Sequence, residues 1–249
     1  MDRWEGKIAI VTGASSGIGA AIAKLLVQKG LKVIGLARRV ERVEELAADL
    51  ADQPGELFAV ACDLTKEESI LEAFKWVIES VGPVHILINN AGLTKATSLS
   101  DGDSDLWRQV LEVNIMALCI CTREAVKIMK EYDIDGHIIH LNSIAGHQVQ
   151  NIPDFNVYPA SKFAVTALTE TLRQELVRDK TRIKVTSISP GVVRTEFQEG
   201  MGGDDMKEML AQIPALKPEN IAQAVVYVLG TEPNVQVSEL TIRPVGDPF

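Results

Sequence analysis

The sequence predicts an α/β fold: a doubly wound parallel sheet of seven strands, with helices on both faces in three layers. Short apolar runs alternate with longer segments of helical periodicity along the chain, the pattern of successive β-α units. The apolar runs are continuous rather than alternating, as strands are when both faces of a sheet are covered. The first run ends in a glycine-rich turn that opens directly into a helix.

The first strand is expected over Lys7–Thr12, followed by a helix whose apolar face is marked by Ile18, Ile22, Leu25 and Leu26. Lys32–Ala37 reads as the second strand, with a charged helix from Glu41. Leu57–Ala61 is the third, followed by a helix over Glu67–Val81. Val84–Asn89 is the fourth, followed by a long helical stretch from about Asp103 to Glu131. His137–Leu141 is the fifth; Ala164, Ala167, Leu168, Thr171 and Leu172 mark one face of the next helix. Ile183–Ser189 and Val237–Ile242 are the sixth and seventh strands.

The pattern shows neither an internal repeat nor a linker, so residues 1–249 are expected to form one domain. It breaks at Arg194–Pro218, where Gly200, Gly202, Gly203, Asp204 and Asp205 are interspersed with Phe197, Met201, Met206, Met209 and Ile213. That segment is expected to be a mobile, partly helical lid over a substrate.

With 46% hydrophobic and 24% charged residues, the 249-residue chain has the balance of a globular protein, which excludes a disordered one. Thirty-four acids against twenty-five bases give a formal charge of −9. Such a chain lacks the basic footprint that nucleic acid or an anionic membrane requires. Three cysteines, Cys62, Cys119 and Cys121, do not make a disulfide framework, and Cys119 and Cys121 read as small buried apolar residues of a helix. No motif has zinc-ligand spacing, so no metal is expected. With no signal peptide and no apolar run of membrane-spanning length, a cytoplasmic location is expected.

Three motifs carry chemistry. In the turn Thr12-Gly13-Ala14-Ser15-Ser16-Gly17-Ile18-Gly19, glycines let backbone approach a phosphate, and the N-terminus of the following helix favours that anion. Alone, such a turn is also ordinary turn chemistry; its place between first strand and first helix makes it a dinucleotide cradle. No Lys-Ser or Lys-Thr follows the glycines, which excludes a nucleotide triphosphatase loop. After the second strand, where an NAD site carries an acid, the chain has Arg38 and Arg39. Two guanidiniums suit a 2′-phosphate and favour NADP(H) over NAD(H), although a basic pair opening a helix is also simply a solvated one. Asp63 and Leu64, after the third strand, are placed to meet the adenine.

Tyr158 and Lys162 are four residues apart, on one face of a helix that Pro159 places in its first turn. A nearby ammonium favours phenolate, and such a tyrosine can take a proton from an alcohol or return one to a carbonyl. Ser143 follows the fifth strand and is suited to bonding the substrate oxygen. Asn90, Ala91 and Gly92 end the fourth strand as a floor for the cofactor ribose, and Asn114, unfavourable within a helix without a reason, is suited to holding a water next to Lys162. Leu93, Val149, Ile152, Phe155, Phe197 and Met201 are candidates for an apolar substrate pocket. His147, Gln148 and Asn151 are candidates for its polar contacts, while His85, His137 and His140 read as structural histidines.

Taken together, TGASSGIG (12–19), NNAG (89–92), Asn114, Ser143, YPASK (158–162) and PGVVRTE (190–196) resemble the short-chain dehydrogenases/reductases of the compact single-domain branch. The resemblance spans nearly the whole chain and implies a Rossmann sheet and hydride transfer with a nicotinamide cofactor. It implies that Asn114, Ser143, Tyr158 and Lys162 form a catalytic tetrad. It also implies that Lys162 bonds the nicotinamide ribose, and that Pro190, Gly191, Val193 and Thr195 help hold the carboxamide. Residues 1–23, 120–131, 166–176 and 189–195 further resemble a subgroup holding NADP-dependent farnesol dehydrogenases of insects and a keto-steroid/carbonyl reductase of animals. That implies a small apolar alcohol or carbonyl substrate. Family members are often homo-dimers or homo-tetramers. A non-catalytic dinucleotide-binding regulator, a longer-chain epimerase or dehydratase and a flavodoxin-like signalling domain are the rival classes. Only the oxidoreductase uses Ser143, Tyr158 and Lys162 at a chain length that leaves no room for a second lobe.

Overall fold

The strands observed are β1 (Ile8–Thr12), β2 (Lys32–Ala37), β3 (Glu56–Ala61), β4 (Ile86–Asn89), β5 (His137–Leu141), β6 (Lys184–Pro190) and β7 (Glu239–Ile242). They come from a computed structural model that describes residues 1–203, 208 and 211–248. All pair in parallel in one sheet of order β3-β2-β1-β4-β5-β6-β7. The chain winds outward from β1 to β3, then returns to place β4 on the other side of β1. The reversal opens a crevice between the C-terminal ends of β1 and β4, where ligands of doubly wound sheets bind.

The helices are α1 (Gly17–Gln28), α2 (Val40–Asp49), α3 (Glu67–Ser80), α4 (Ser104–Leu111), α5 (Ala117–Glu131), α6 (Tyr158–Arg178) and α7 (Pro218–Leu229). Alternate strand residues feed two cores. Ala9, Val11, Val33, Ile86, Ile88 and Ile139 pack against Ile22 and Leu26 of α1, Val43 of α2 and Ile221 and Val225 of α7. Ile8, Ile10, Ile34, Leu87 and Ile138 pack against Ile70 and Phe74 of α3, Ile120 and Ile128 of α5 and Leu172 of α6. The continuous apolar runs follow from this, since each strand has an apolar layer on either side.

Boundaries differ by one or two residues. Pairing of β4 begins at Ile86 rather than Val84, and that of β7 at Glu239 rather than Val237, while β6 runs one residue later than expected. The stretch expected as one helix from Asp103 to Glu131 is interrupted by a π-helical turn over Glu112–Met116 that contains Asn114. Cys121 is buried as expected; Cys119 is only half-buried. His137 and His140 are structural, as expected: His137 meets the Thr186 hydroxyl at 2.8 Å and His140 the Thr169 hydroxyl at 2.9 Å.

The ends of the expected lid are tied together: Leu216 N–H donates to the Val192 carbonyl at 2.8 Å and Arg194 N–H to that of Leu216 at 3.0 Å. Glu196–Met201 forms a 3-10 turn. Asp204, Asp205, Met206 and Met209 lie outside the described residues. Among the described residues, no helix is long and apolar enough to cross a membrane.

Candidate active site

A cavity of about 840 Å³ opens along the C-terminal edge of the sheet, from the crevice beside β1 to the loops after β5 and β6. At one end it is lined by Gly13, Ser15, Ser16, Gly17, Ile18 and Gly19, then by Arg38, Arg39, Asp63 and Leu64. Its middle is lined by Asn90, Ala91 and Gly92, with Pro190, Gly191, Val193 and Thr195 also on the wall. Every residue expected from sequence to meet a cofactor therefore lines one cavity, whereas Asn114, expected in the catalytic tetrad, is buried outside its lining.

The glycine-rich turn fits a phosphate on local grounds. Ser16 is the N-cap of α1, yet its side chain makes no capping bond, so it leaves the first-turn amides to another acceptor. Gly17 has a φ of +55°, a left-handed conformation that favours glycine. A Cβ on Gly19 would collide with the Gly13 carbonyl oxygen and lie 2.5 Å from the Asn90 amide nitrogen. Asn90, expected as a ribose floor, also ties the turn down: its amide donates to the Thr12 carbonyl at 2.8 Å, and the N–H groups of Asn90 and Ala91 each donate to the Thr12 hydroxyl at 3.0 Å. Asp63 is braced by Thr65, whose N–H and hydroxyl donate to its carboxylate at 3.1 and 2.8 Å; those bonds hold its carboxyl below the usual range.

At the other end, the 3-10 turn after β5 and the first turn of α6 bring Ser143, Tyr158 and Lys162 together. The Ser143 hydroxyl accepts the Ala145 N–H at 3.1 Å. Tyr158 is buried between the rings of Phe155 and Phe197, whose centroids lie 4.8 and 5.4 Å from its own. The buried Lys162 ammonium donates to the Leu141 carbonyl at 2.9 Å and sits 5.8 Å from the centre of the Tyr158 ring. Burial pushes the phenol above its ordinary value, and a hydrogen bond with Ser143 pulls it the other way. Burial also pushes Lys162 down to about 8. Desolvation disfavours the Tyr158 phenolate, and the opposing pull comes from the Ser143 hydroxyl rather than from the ammonium expected from sequence.

Asn114 works locally as a brace. Its side-chain oxygen accepts the Leu93 N–H at 2.9 Å, and its amide donates to the Leu93 carbonyl and the Ser161 hydroxyl, both at 3.0 Å. It so fixes the wall after Gly92 and the helix that bears Tyr158 and Lys162. The π-helical turn around it is the backbone irregularity that often marks a functional site.

The apolar wall comprises Leu93, Ile152, Phe155, Phe197 and Met201. Val149 does not belong to it: it is 73% exposed and does not line the cavity. His147, Gln148 and Asn151 do not line the cavity either; His147 Nε2 turns to the Ser189 hydroxyl at 2.9 Å and Glu239 at 3.3 Å. Two polar residues that do line it, Thr94 and Gln150, were not among the sequence candidates. Both are buried, and among the described residues neither the Thr94 hydroxyl nor either Gln150 amide atom has a hydrogen-bond partner. Only their positions, beside Gly92 and in the loop after Ser143, hint at such a role in the sequence. Among the described residues there is no cluster of three or more metal-ligating side chains.

A doubly wound sheet with a glycine-rich turn at one end of a crevice and a Ser-Tyr-Lys group, its tyrosine and lysine buried, at the other is the arrangement of a dinucleotide-dependent oxidoreductase. Residues 7–205 match the short chain dehydrogenase family. The chain is 53% identical to farnesol dehydrogenase of Aedes aegypti, with all of both chains covered. It is 49% identical to dehydrogenase/reductase SDR family member 11 of Mus musculus, covering 98% of this chain and 96% of the other. Its fold is similar to that of an alcohol dehydrogenase from the archaeon Thermococcus sibiricus complexed with 5-hydroxy-NADP (TM-score 0.85, 30% identity, 98% and 99% of the chains covered). The protein belongs to the short-chain dehydrogenase/reductase family.

Proposed function

We propose that the protein is an NADP(H)-dependent oxidoreductase of apolar alcohols and carbonyls, with oxidation of farnesol to farnesal as the leading reaction. The observation that carries this reading is one continuous cavity with Arg38 and Arg39 at its adenosine end and an apolar wall around Ser143 and Tyr158 at the other. The 53% identity with a farnesol dehydrogenase over the full chain supports the substrate. The complex of the archaeal alcohol dehydrogenase with an NADP derivative supports the cofactor.

When bound, the nicotinamide cofactor supplies the redox chemistry, taking a hydride from an alcohol carbon or giving one to a carbonyl carbon. The amides at the start of α1 hold the pyrophosphate, and Arg38 and Arg39 select the 2′-phosphate. Pro190 through Thr195 hold the carboxamide. Ser143 and Tyr158 hold the substrate oxygen, and Tyr158 moves the proton at its phenolic oxygen. Lys162 keeps two donors beyond the one given to Leu141, which would serve the cofactor ribose and the phenol. Asn114 positions both Leu93 and α6 and is a link to a water relay. The whole chain acts as one catalytic domain.

Reduction of a ketone or dicarbonyl is the second reading, favoured by Thr94 and Gln150. Buried polar groups without partners on a cavity wall suit a substrate with a second oxygen better than a wholly apolar chain. Absorbance at 340 nm decides between the two. NADP⁺ with farnesol is run beside NADPH with keto-steroids and dicarbonyls, each repeated with NAD(H). NADPH production from farnesol, lost in Tyr158→Phe, is the expected result; turnover of ketones alone would make the protein a carbonyl reductase. Preference for NAD(H) would remove the role given to Arg38 and Arg39.

A further inference from the structure

One carboxylate at the cavity mouth is shared by two arginines. Arg39 Nη2 donates to Glu196 Oε2 at 3.0 Å and to the Ser16 hydroxyl at 3.2 Å. Arg42 Nη1 donates to Glu196 Oε1 at 2.8 Å and to Oε2 at 3.1 Å. Ser16 and the two arginines come from the start of α1 and the N-terminal end of α2, whereas Glu196 opens the 3-10 turn after β6. Ser16, Arg39 and Glu196 all line the cavity. The side chains of Arg39, Arg42 and Glu196 remain 41–46% exposed, within reach of a competing anion. The paired arginines hold the Glu196 carboxyl below its ordinary range, so it is charged at neutral pH.

The forked donors that hold a carboxylate also fit a phosphate. A phosphate monoester brings roughly two negative charges and three strong acceptor oxygens, against one charge and two oxygens for a carboxylate. The ribose of NAD(H) carries only hydroxyls at this place and has no anion to exchange.

We propose that Glu196 is an internal counter-ion seated in a 2′-phosphate site formed by Ser16, Arg39 and Arg42, and that the phosphate of NADP(H) displaces it. The inference rests on the NADP(H) reading and extends it in two ways. Arg42, which the basic pair after β2 does not include, becomes a specificity-determining residue. And cofactor choice becomes tied to the substrate end, because Phe197, next to the displaced carboxylate, packs on Tyr158, and Met201 of the same turn joins that cluster. Exchange of one anion for another frees the turn over Tyr158 only when the phosphorylated cofactor is present.

The test uses adenosine 2′,5′-bisphosphate and 5′-AMP, which lack the nicotinamide, so that binding is read apart from turnover. Calorimetric titration of the full chain is expected to give tighter binding of the bisphosphate than of AMP. Glu196→Gln is expected to tighten the bisphosphate about threefold to tenfold, the range spanned by two exposed ion pairs, and to leave AMP unchanged. That gain is expected to shrink as salt is raised. Arg42→Gln is expected to weaken the bisphosphate alone by a similar factor. In the unsubstituted protein, amides of Glu196–Met201 are expected to exchange hydrogen faster when saturated with bisphosphate, and not with AMP.

Unchanged or weaker bisphosphate binding in Glu196→Gln would overturn the proposal; weaker binding of both ligands would make the carboxylate a clasp over bound nucleotide instead. Unaltered exchange in Glu196–Met201 would overturn the link to the substrate end. No preference for the bisphosphate in the unsubstituted protein would remove the NADP(H) reading itself, an outcome distinct from failure of the counter-ion exchange alone.

Discussion

At the scale of single residues, Tyr158 and Lys162 show how burial sets the chemistry. The phenol is sealed among Phe155, Phe197 and Ile152, so its charged form is disfavoured until the site itself supplies compensation. Tyr158→Phe removes only the oxygen proposed to move the proton. It is expected to lower kcat by about 100- to 10,000-fold while thermal stability stays near that of the unsubstituted protein. Lys162 carries the opposite cost, a buried ammonium that donates to the Leu141 carbonyl. Lys162→Met is expected to fold, because an apolar side chain suits that place, and to lose activity by about 100-fold or more. Stability against pH checks the assignment. Burial lowers Lys162 from 10.5 to about 8 in the folded protein. Between those values the unfolded chain binds a proton that the folded one does not, so this group makes stability rise with pH across that window. Below about pH 8 the cost of burying the charge is fully present. Lys184 is also pushed down to about 8 by burial, so the quantity to measure is the difference between the unsubstituted protein and Lys162→Met in denaturant titrations from pH 7 to 10.5. A difference independent of pH would show that Lys162 keeps its ordinary value.

At the scale of elements, the glycine-rich turn is the least replaceable piece. Gly19 lies inside α1, where alanine is ordinarily the better helix former. Here a Cβ runs into the backbone oxygen of Gly13, which cannot rotate away as a side chain would. Gly19→Ala is therefore expected to push α1 off the turn. Overpacking of this kind costs about 1–3 kcal/mol, and for a chain of this size that lowers Tm by roughly 2–4 °C per kcal/mol. Nucleotide affinity is expected to fall at least tenfold with it, read by titration with NADP⁺. A variant with both Tm and affinity intact would show that the close approach is not needed. The elements themselves were largely legible, because their period is set by what covers them: β2 and β5 have the expected bounds. The π-helical turn at Glu112–Met116 was not, since apolar residues recur across it much as they do in an α-helix. Asn114 was its one visible trace, a polar residue where a helix interior gives it no reason to be.

At the scale of the molecule, the cavity collects residues from six strand ends and the start of α6, so its occupant binds the folded chain and not the unfolded one. NADP⁺ at about 100 times its Kd is expected to stabilise the fold by about 2.7 kcal/mol. For a chain of this length that raises Tm by about 5–10 °C. NAD⁺ at the same concentration is expected to give a smaller rise, because Arg38 and Arg39 gain no phosphate. Equal shifts in differential scanning fluorimetry would place the selectivity elsewhere. The two cores that position this cavity were readable as apolar runs, but their partition was not. Whether Val11 meets α1 or α3 depends on the order in which strands join the sheet, and only long-range pairing fixes that order.

The sequence by itself determined the parallel sheet, the glycine-rich turn and the Tyr158–Lys162 pair, because each follows from local period, local turn chemistry or fixed spacing on one helix. It also carried the family, since motifs in order at set intervals survive without coordinates. Tertiary structure decided what depends on side chains from distant segments meeting. It left Val149 exposed and outside the cavity lining, joined His147 to Ser189 and left Thr94 and Gln150 buried on the cavity wall. It braced Leu93 and Ser161 on Asn114. It also joined Arg39 and Arg42 to Glu196, residues more than 150 positions apart in the chain. A loop's sequence restricts its turns but not the direction in which its side chains face; packing and charge across the crevice set that direction.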